Sequence, residues 1–198
     1  MLKSLHGGDE NFVLEDKGSI DKYLGVNIKQ NDESSFKLSQ PFLIERITSF
    51  LGIADGKTNK RLTPVGKPLL NKDTLGIPRK YDWEYRGAIG MLTYLTGSVW
   101  PDIAMATHQC ARFSVNPMRS HKQAVIRIGR YLLSTKEKSL VYKPDAQRGI
   151  EVFVDADFAG GWDPADVMNA ESVYSCTGYM LFSMLDVQFS GRVSFKQK

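Results

Sequence analysis

The sequence predicts an α+β fold in which a β-hairpin, a group of helices and an antiparallel sheet follow one another along the chain. Residues 22–38 alternate apolar and polar side chains, residues 82–134 repeat apolar side chains every three to four positions, and residues 149–195 return to strand-like patterns. Of the 198 residues, 42% are hydrophobic, which is enough to bury a core.

The hairpin is predicted between Tyr23 and Leu38, with its turn in the polar residues 30–35. A further short strand is predicted at residues 11–14, separated from the hairpin by the turn-rich residues 16–19. The amino-terminal part of the chain is therefore expected to be β structure.

Four helices are predicted to follow the hairpin. The first begins at Pro41, a residue suited to a first helical turn, and ends near Gly52. Glycines and prolines then predict a long irregular connection, and the remaining helices are expected at residues 82–96, 101–113 and 117–134.

The last of these helices combines an apolar face with a basic one, because 100° per residue separates the two sets of side chains. His121 falls on the apolar face, where we expect a packed, hydrogen-bonded histidine.

Eight basic and two acidic residues lie between residues 118 and 148, whereas residues 149–198 carry seven acidic and three basic residues. The basic stretch fits a track for a phosphate backbone, although an ordinary solvated helix face explains it equally well. The candidate nucleic-acid contacts are Arg119, Lys122, Arg127 and Arg130.

A strand near the end of the chain carries two carboxylates, Asp155 and Asp157. Side chains alternate along a strand, so both are expected on one face, where oxygen ligands could contribute to a divalent-metal site. Asp157 could instead be a solvated residue that starts a turn. The strands of this region are predicted at residues 149–158, 177–184 and 187–195, the last two forming a hairpin.

Several function classes are disfavoured by composition. No stretch of the sequence approaches the length of a membrane helix, and residues 1–8 are too short and polar for a signal peptide, so we expect a cytoplasmic or nuclear protein without a membrane partner. Cys110 and Cys176 lack metal-ligand spacing and are expected to be buried thiols.

A series of short phrases resembles the Pol polyprotein of copia-type retrotransposons, over the last part of its reverse transcriptase and the opening of its RNase H domain. The phrases follow the family's order and cover nearly the whole chain. They are Tyr23–Val26, Leu38–Leu43, Leu62–Val65, Tyr85–Leu95, Pro101–Ile103, Arg112–Phe113, Pro117, His121, Arg127–Leu132, Val154–Gly160, Thr177–Tyr179 and Ser194–Lys198.

The resemblance implies three segments with distinct roles. Residues 1–38 would be the end of a polymerase palm with a primer-grip-like hairpin, residues 39–135 a helical thumb- or connection-like region, and residues 136–198 the truncated first part of an RNase H-like domain with a partial antiparallel sheet. Within them, the resemblance assigns a role to two features. The primer-grip-like residues would be Tyr23, Leu24, Gly25 and Val26, and the first metal-binding carboxylate would be Asp155. The family has no established metal role at the position of Asp157, which we treat as a candidate outer-sphere helper only.

The family's activities are RNA-directed DNA synthesis and hydrolysis of RNA–DNA hybrids, with Mg²⁺ or Mn²⁺ as cofactor. The chain departs from the family's pattern because the paired aspartates of the palm and the later nuclease carboxylates have no match in it, and Met1 falls inside the expected palm. We therefore expect a catalytically incomplete fragment that binds an RNA–DNA hybrid or DNA duplex and holds the metal weakly. The remainder of a Pol polyprotein is a further candidate partner. The alternative is a degenerate or domesticated remnant that acts as a protein-interaction module.

Overall fold

A computed structural model describes residues 19–32, 35–54, 63–65, 72–144, 150–157, 176–183 and 185–189. Its strands are β1 (Lys22–Tyr23), β2 (Val26–Asp32), β3 (Ser35–Ser39), β4 (Leu140–Pro144), β5 (Ile150–Asp157), β6 (Cys176–Ser183) and β7 (Leu185–Phe189). Its helices are α1 (Pro41–Phe50), α2 (Tyr85–Ser98), a 3₁₀ turn (Pro101–Ile103), α3 (Ala104–Ala111) and α4 (Arg119–Thr135). The strand predicted at residues 11–14 and the end of the one predicted at 187–195 lie outside these ranges.

The predicted hairpin is confirmed, and it is part of a larger sheet. β2 and β3 pair antiparallel, with Asn27 opposite Ser39 and Asp32 opposite Ser35. β1 adds to β2 as a second, tighter hairpin. The sheet has the order β1-β2-β3-β4-β7.

The hairpin predicted for residues 177–195 is wrong. β6 pairs antiparallel with β5 over eight residues, from Ile150 opposite Ser183 to Asp157 opposite Cys176. β7 instead pairs with β4 in the other sheet. A single residue separates β6 from β7, which is shorter than the two-residue loop of a tight hairpin.

β4 connects segments that the sequence assigned to different domains. Its partner β3 lies near residue 38, at the end of the first predicted domain, whereas β4 begins the third. Because backbone hydrogen bonds join these two strands, the hairpin and the start of the third segment share one sheet. The three-domain division itself stays a prediction.

The four helices bury the main core of the described chain. α2 begins at Glu84, whose carboxylate accepts hydrogen bonds from the backbone N–H groups of Arg86 and Gly87. The helix continues through Gly97, where the sequence predicted its end. The helix predicted at residues 101–113 is divided into a 3₁₀ turn, which begins at Pro101, and α3. The largest fully buried core side chains are Tyr85, Ile44, Ile47, Leu92, Leu95, Ile103, Ile128 and Leu132.

No helix in the described part of the chain is long and apolar enough to span a bilayer.

Candidate nucleic-acid interface

The loop between β1 and β2 displays two large apolar side chains to solvent. Leu24 and Gly25 both have positive φ, 46° and 78°, which is the signature of a type I′ turn, and Tyr23 faces Val26 across it. Tyr23 is 59% exposed and Leu24 is 69% exposed. A leucine in the left-handed region costs about 1 kcal/mol, and here the fold recovers none of it by burial. Such a residue is a candidate for contact with a partner.

Tyr94 on α2 holds this hairpin tip in place. Its hydroxyl donates a hydrogen bond to the backbone carbonyl of Leu24, 70 positions earlier in the chain. The contact brings the tip against the exposed side of α2. No sequence pattern predicted it, because Tyr94 lies off the apolar face of α2 and helical spacing does not identify a partner 70 positions away.

Two glycines, Gly90 and Gly97, leave gaps between the side chains on the exposed side of α2. Gly90, Thr93 and Gly97 follow one another at helical spacing and are at least partly exposed. No atom lies within 4 Å of the position that a Cβ would take at Gly90 or Gly97. Glycine inside a helix lowers stability by about 1 kcal/mol relative to alanine. This face is therefore less stable than an alanine-containing one, and its backbone is more accessible. We call the five residues Tyr23, Leu24, Gly90, Thr93 and Tyr94 the tip–helix surface.

Lys122, one of the four predicted nucleic-acid contacts, is turned into the protein. Its ammonium group forms an ion pair with Asp82, donates to the carbonyl of Lys80 at 3.3 Å and lies 5.5 Å from the ring centroid of Trp83. The residue is only 9% exposed, so the predicted position on the solvent face is wrong. The hydrogen bond from Lys122 lowers the pKa of the Asp82 carboxyl.

Arg127 is also engaged with the protein. Its Nε donates to the carbonyl of Thr63 at 2.9 Å, and its Nη2 donates to the Thr63 hydroxyl at 3.3 Å. Arg119 and Arg130 are exposed on α4. A role in nucleic-acid binding stays a prediction for all four, and Arg119 and Arg130 have the more accessible charges.

His121 occupies the apolar face of α4, as predicted. It is 0% exposed, its ring stacks on Phe113 at 4.1 Å, and its Nδ1 accepts a hydrogen bond from the backbone N–H of Met118 at 2.9 Å. The side chain therefore caps the first turn of α4 from within the core.

Two further buried groups belong to the core. Tyr131 donates a hydrogen bond to Asp102, and burial raises the pKa of the Asp102 carboxyl. Cys110 is a buried thiol, as predicted, and burial raises its pKa to about 12.

The two carboxylates of the predicted metal site lie on β5. The backbone register places Asp155 opposite Gly178 and Asp157 opposite Cys176. Among the described residues, no group of three histidines, cysteines, aspartates or glutamates could hold a metal ion. The assignment of a divalent metal to Asp155 and Asp157 stays a prediction.

Comparison with known proteins shows which proteins the chain resembles. The chain is related to the Pol polyproteins of retrotransposons, which confirms that part of the predicted resemblance. Among the relatives are a transposon Ty5-1 protein of Saccharomyces cerevisiae, 28% identical over 145 residues, and the Pol polyprotein from transposon RE1 of Arabidopsis thaliana, 27% identical over 166 residues. These alignments cover 73% and 83% of the chain.

The chain spans less than half the length of both transposon relatives, 46% of the first and 11% of the second. A third relative, secreted RxLR effector protein 161 of Plasmopara viticola, is 32% identical over 96 residues, which are 48% of this chain and 62% of that protein. No family model matches the chain, and no solved structure gives a significant match.

Proposed function

We propose that the chain is part of the reverse transcriptase and RNase H region of a copia-type Pol polyprotein and that it binds an RNA–DNA hybrid or DNA duplex on the tip–helix surface. The observation that carries the proposal is the hydrogen bond from Tyr94 to the carbonyl of Leu24, because it joins the primer-grip-like hairpin to the exposed side of α2. Support also comes from the ordered family phrases and from the relationship to retrotransposon Pol polyproteins.

The chemistry of the surface suits a duplex. Exposed glycines at positions 90 and 97 allow a backbone or sugar edge to approach α2 closely. The side chains of Tyr23 and Leu24 offer apolar and aromatic contact at the tip. The formal net charge of +4 supplies a general attraction for phosphates.

The proposal assigns binding to this chain and leaves catalysis to residues beyond it. The family's nuclease needs several carboxylates around its metal ions, and Asp155 is the one position that matches them. Mg²⁺ or Mn²⁺ is therefore expected to bind weakly, and the remainder of a Pol polyprotein is the proposed partner that would complete a site.

The test is a fluorescence-anisotropy titration of the full chain with a labelled RNA–DNA hybrid of about 20 base pairs at low salt. Leu24→Asn is the decisive variant, because Asn-Gly is a favoured type I′ turn and the change removes only the exposed apolar side chain. We expect its affinity to fall about fivefold while its thermal stability is retained or rises. Leu75→Asn is the matched control, because Leu75 is fully exposed outside the tip–helix surface.

Two results would contradict the proposal. One is the absence of binding by the wild-type chain at low salt. The other is a Leu24→Asn variant that binds the hybrid as tightly as Leu75→Asn does.

A protein-interaction module is the second candidate function. The exposed apolar side chains of Phe42 and Tyr81 favour it, since neither is buried by a neighbour in the described chain. Sedimentation of the purified chain tests self-association through such surfaces. If the chain sediments as a monomer over a wide concentration range, it does not associate with itself through these surfaces.

A further inference from the structure

Three arginines from different parts of the sequence lie on segments that contact one another at one end of the helical bundle. Nε of Arg86, in the first turn of α2, donates to the carbonyl of Ser114 at 3.2 Å. The guanidinium of Arg112 lies 5.7 Å from the ring centroid of Phe113. Phe113 in turn stacks on His121, which caps the first turn of α4 where Arg119 lies. Arg86 and Arg112 thus contact the segment that carries Phe113, and Arg119 begins the helix that carries His121.

These arginines keep accessible positive charge. Arg86, Arg112 and Arg119 are all exposed, and none forms an ion pair with a carboxylate of the described residues. Their contacts use part of each guanidinium at most: Arg86 donates through Nε to a carbonyl, and Arg112 donates to the Gln109 side chain at 3.4 Å. An arginine held by one neutral contact still presents several donors in a preset orientation.

Three carboxylates lie near the cluster, and each is hydrogen-bonded or ion-paired to another group of the protein. Glu84 caps α2, Asp82 forms an ion pair with Lys122, and Asp73 accepts a hydrogen bond from Ser120. The amino-terminal ends of α2 and α4 lie beside the cluster, and neither has an acidic residue in its first turn. Because the Glu84 carboxylate caps α2, only the dipole of α4 adds to the positive potential.

We infer that Arg86, Arg112 and Arg119 form a phosphate-binding cluster that contacts the backbone of the duplex bound on the tip–helix surface. The inference rests on the proposed function and specifies that this end of the surface binds the phosphate backbone. Arg86 lies on the same side of α2 as Gly90 and Thr93, eight residues before Tyr94. That separation is about 12 Å along the helix axis, the rise of three to four base pairs. One duplex can therefore contact the hairpin tip and the cluster together.

The test measures the salt dependence of binding to the same RNA–DNA hybrid. The triple variant Arg86→Gln, Arg112→Gln, Arg119→Gln is compared with a control triple of exposed basic residues, Arg46→Gln, Lys138→Gln, Lys143→Gln. The slope of log K against log salt is negative, and each lost phosphate contact reduces its magnitude by about 0.9. We therefore expect the magnitude of the slope to fall by roughly two to three for the cluster triple, and its affinity at low salt to fall at least tenfold. We expect the control triple to lose less than one unit.

A charge-conserving triple separates charge from folding. Arg86→Lys, Arg112→Lys and Arg119→Lys should keep most of the slope, because a lysine still neutralises a phosphate as a point charge. If the glutamine triple keeps the slope of the control triple, the cluster inference is overturned while the proposed function stands. If the wild-type chain does not bind the hybrid, both are overturned. If the Leu24→Asn change weakens binding without changing the slope, and the glutamine triple lowers the slope, both are supported.

Discussion

Lys122 illustrates how the partners of a single side chain decide what it can do. Helical spacing assigns it to the basic side of α4, and that much is a property of the sequence. Residues 79–83 cover this part of the helix, so the ammonium group meets Asp82 and the carbonyl of Lys80 instead of water. Sequence spacing does not report which segment, 40 positions away, will cover a helix face.

The ion pair predicts how stability depends on pH. Because the pKa of Asp82 is lowered below its ordinary value of 3.8, the pair stabilises the fold fully above about pH 5. That contribution is lost as the pH falls through 3.8 and then through the lower folded-state pKa. The free energy of unfolding of Asp82→Asn should therefore fall less than that of the wild type between about pH 5 and pH 2. Urea unfolding at each pH measures the difference.

Lys122→Met serves as the partner control for this prediction. It should reduce the pH dependence of the free energy of unfolding over the same range. The double variant should reduce that dependence no further than either single variant does. An Asp82→Asn variant with the wild-type pH dependence would show that the pair does not couple to folding.

His121 is expected to be a major contributor to stability. His121→Ala removes both a cap of α4 and a fully buried ring that stacks on Phe113. We expect it to lower the free energy of unfolding by about 3 kcal/mol, measured by urea denaturation. Gln123→Ala, an exposed position on the same helix, should change it by less than about 0.5 kcal/mol. Equal effects of the two changes would show that the buried cap contributes little.

At the scale of elements, two glycines show how packing decides what a helix position tolerates. A Cβ at Gly90 on α2 would meet no atom within 4 Å. A Cβ at Gly129 on α4 would lie 2.7 Å from the Cδ1 atoms of both Leu51 and Ile53, where the chain leaving α1 crosses α4. Both residues are glycines inside amphipathic helices, and their sequence contexts do not distinguish them.

The same substitution at these two positions should change stability by different amounts. Gly129→Val should lower the free energy of unfolding by about 2 kcal/mol, because the added atoms overpack the contact between α1 and α4. Gly90→Val should change it by less than about 0.5 kcal/mol, since the gain in helix propensity over glycine is small and the position is open. Thermal unfolding of the two variants checks the difference, and similar melting temperatures would contradict the packing of α1 on α4.

At the scale of the whole molecule, strand pairing over long distances unites the amino-terminal hairpin with the carboxy-terminal region. β4 joins β3, and β7 joins β4, although β3 and β7 are about 150 positions apart. Pairings across such distances do not leave a local signature, and this is why the predicted hairpin of β6 and β7 was wrong. Alternation predicts that a strand exists and does not name its partner.

A whole-chain assay tests the proposal that catalysis needs residues beyond this chain. We expect no cleavage of an RNA–DNA hybrid with Mg²⁺ or Mn²⁺ by the wild-type protein, and no difference for Asp155→Asn, because Asp155 alone matches the several carboxylates that the family's nuclease needs. A catalytically competent RNase H run in parallel is the positive control. Metal-dependent cleavage that is lost in Asp155→Asn would overturn the proposal.

The sequence by itself determined the helices, the first hairpin, the buried setting of His121 and the relationship to retrotransposon Pol polyproteins. Each follows from local periodicity or from short phrases, which depend on neighbours within a few positions. Only the tertiary structure decided which strands pair, that Lys122 and Arg127 bind protein atoms, that Tyr94 holds the tip at Leu24, and that three arginines share one end of the bundle. These contacts join residues that are distant in the chain, and their geometry depends on how the elements pack.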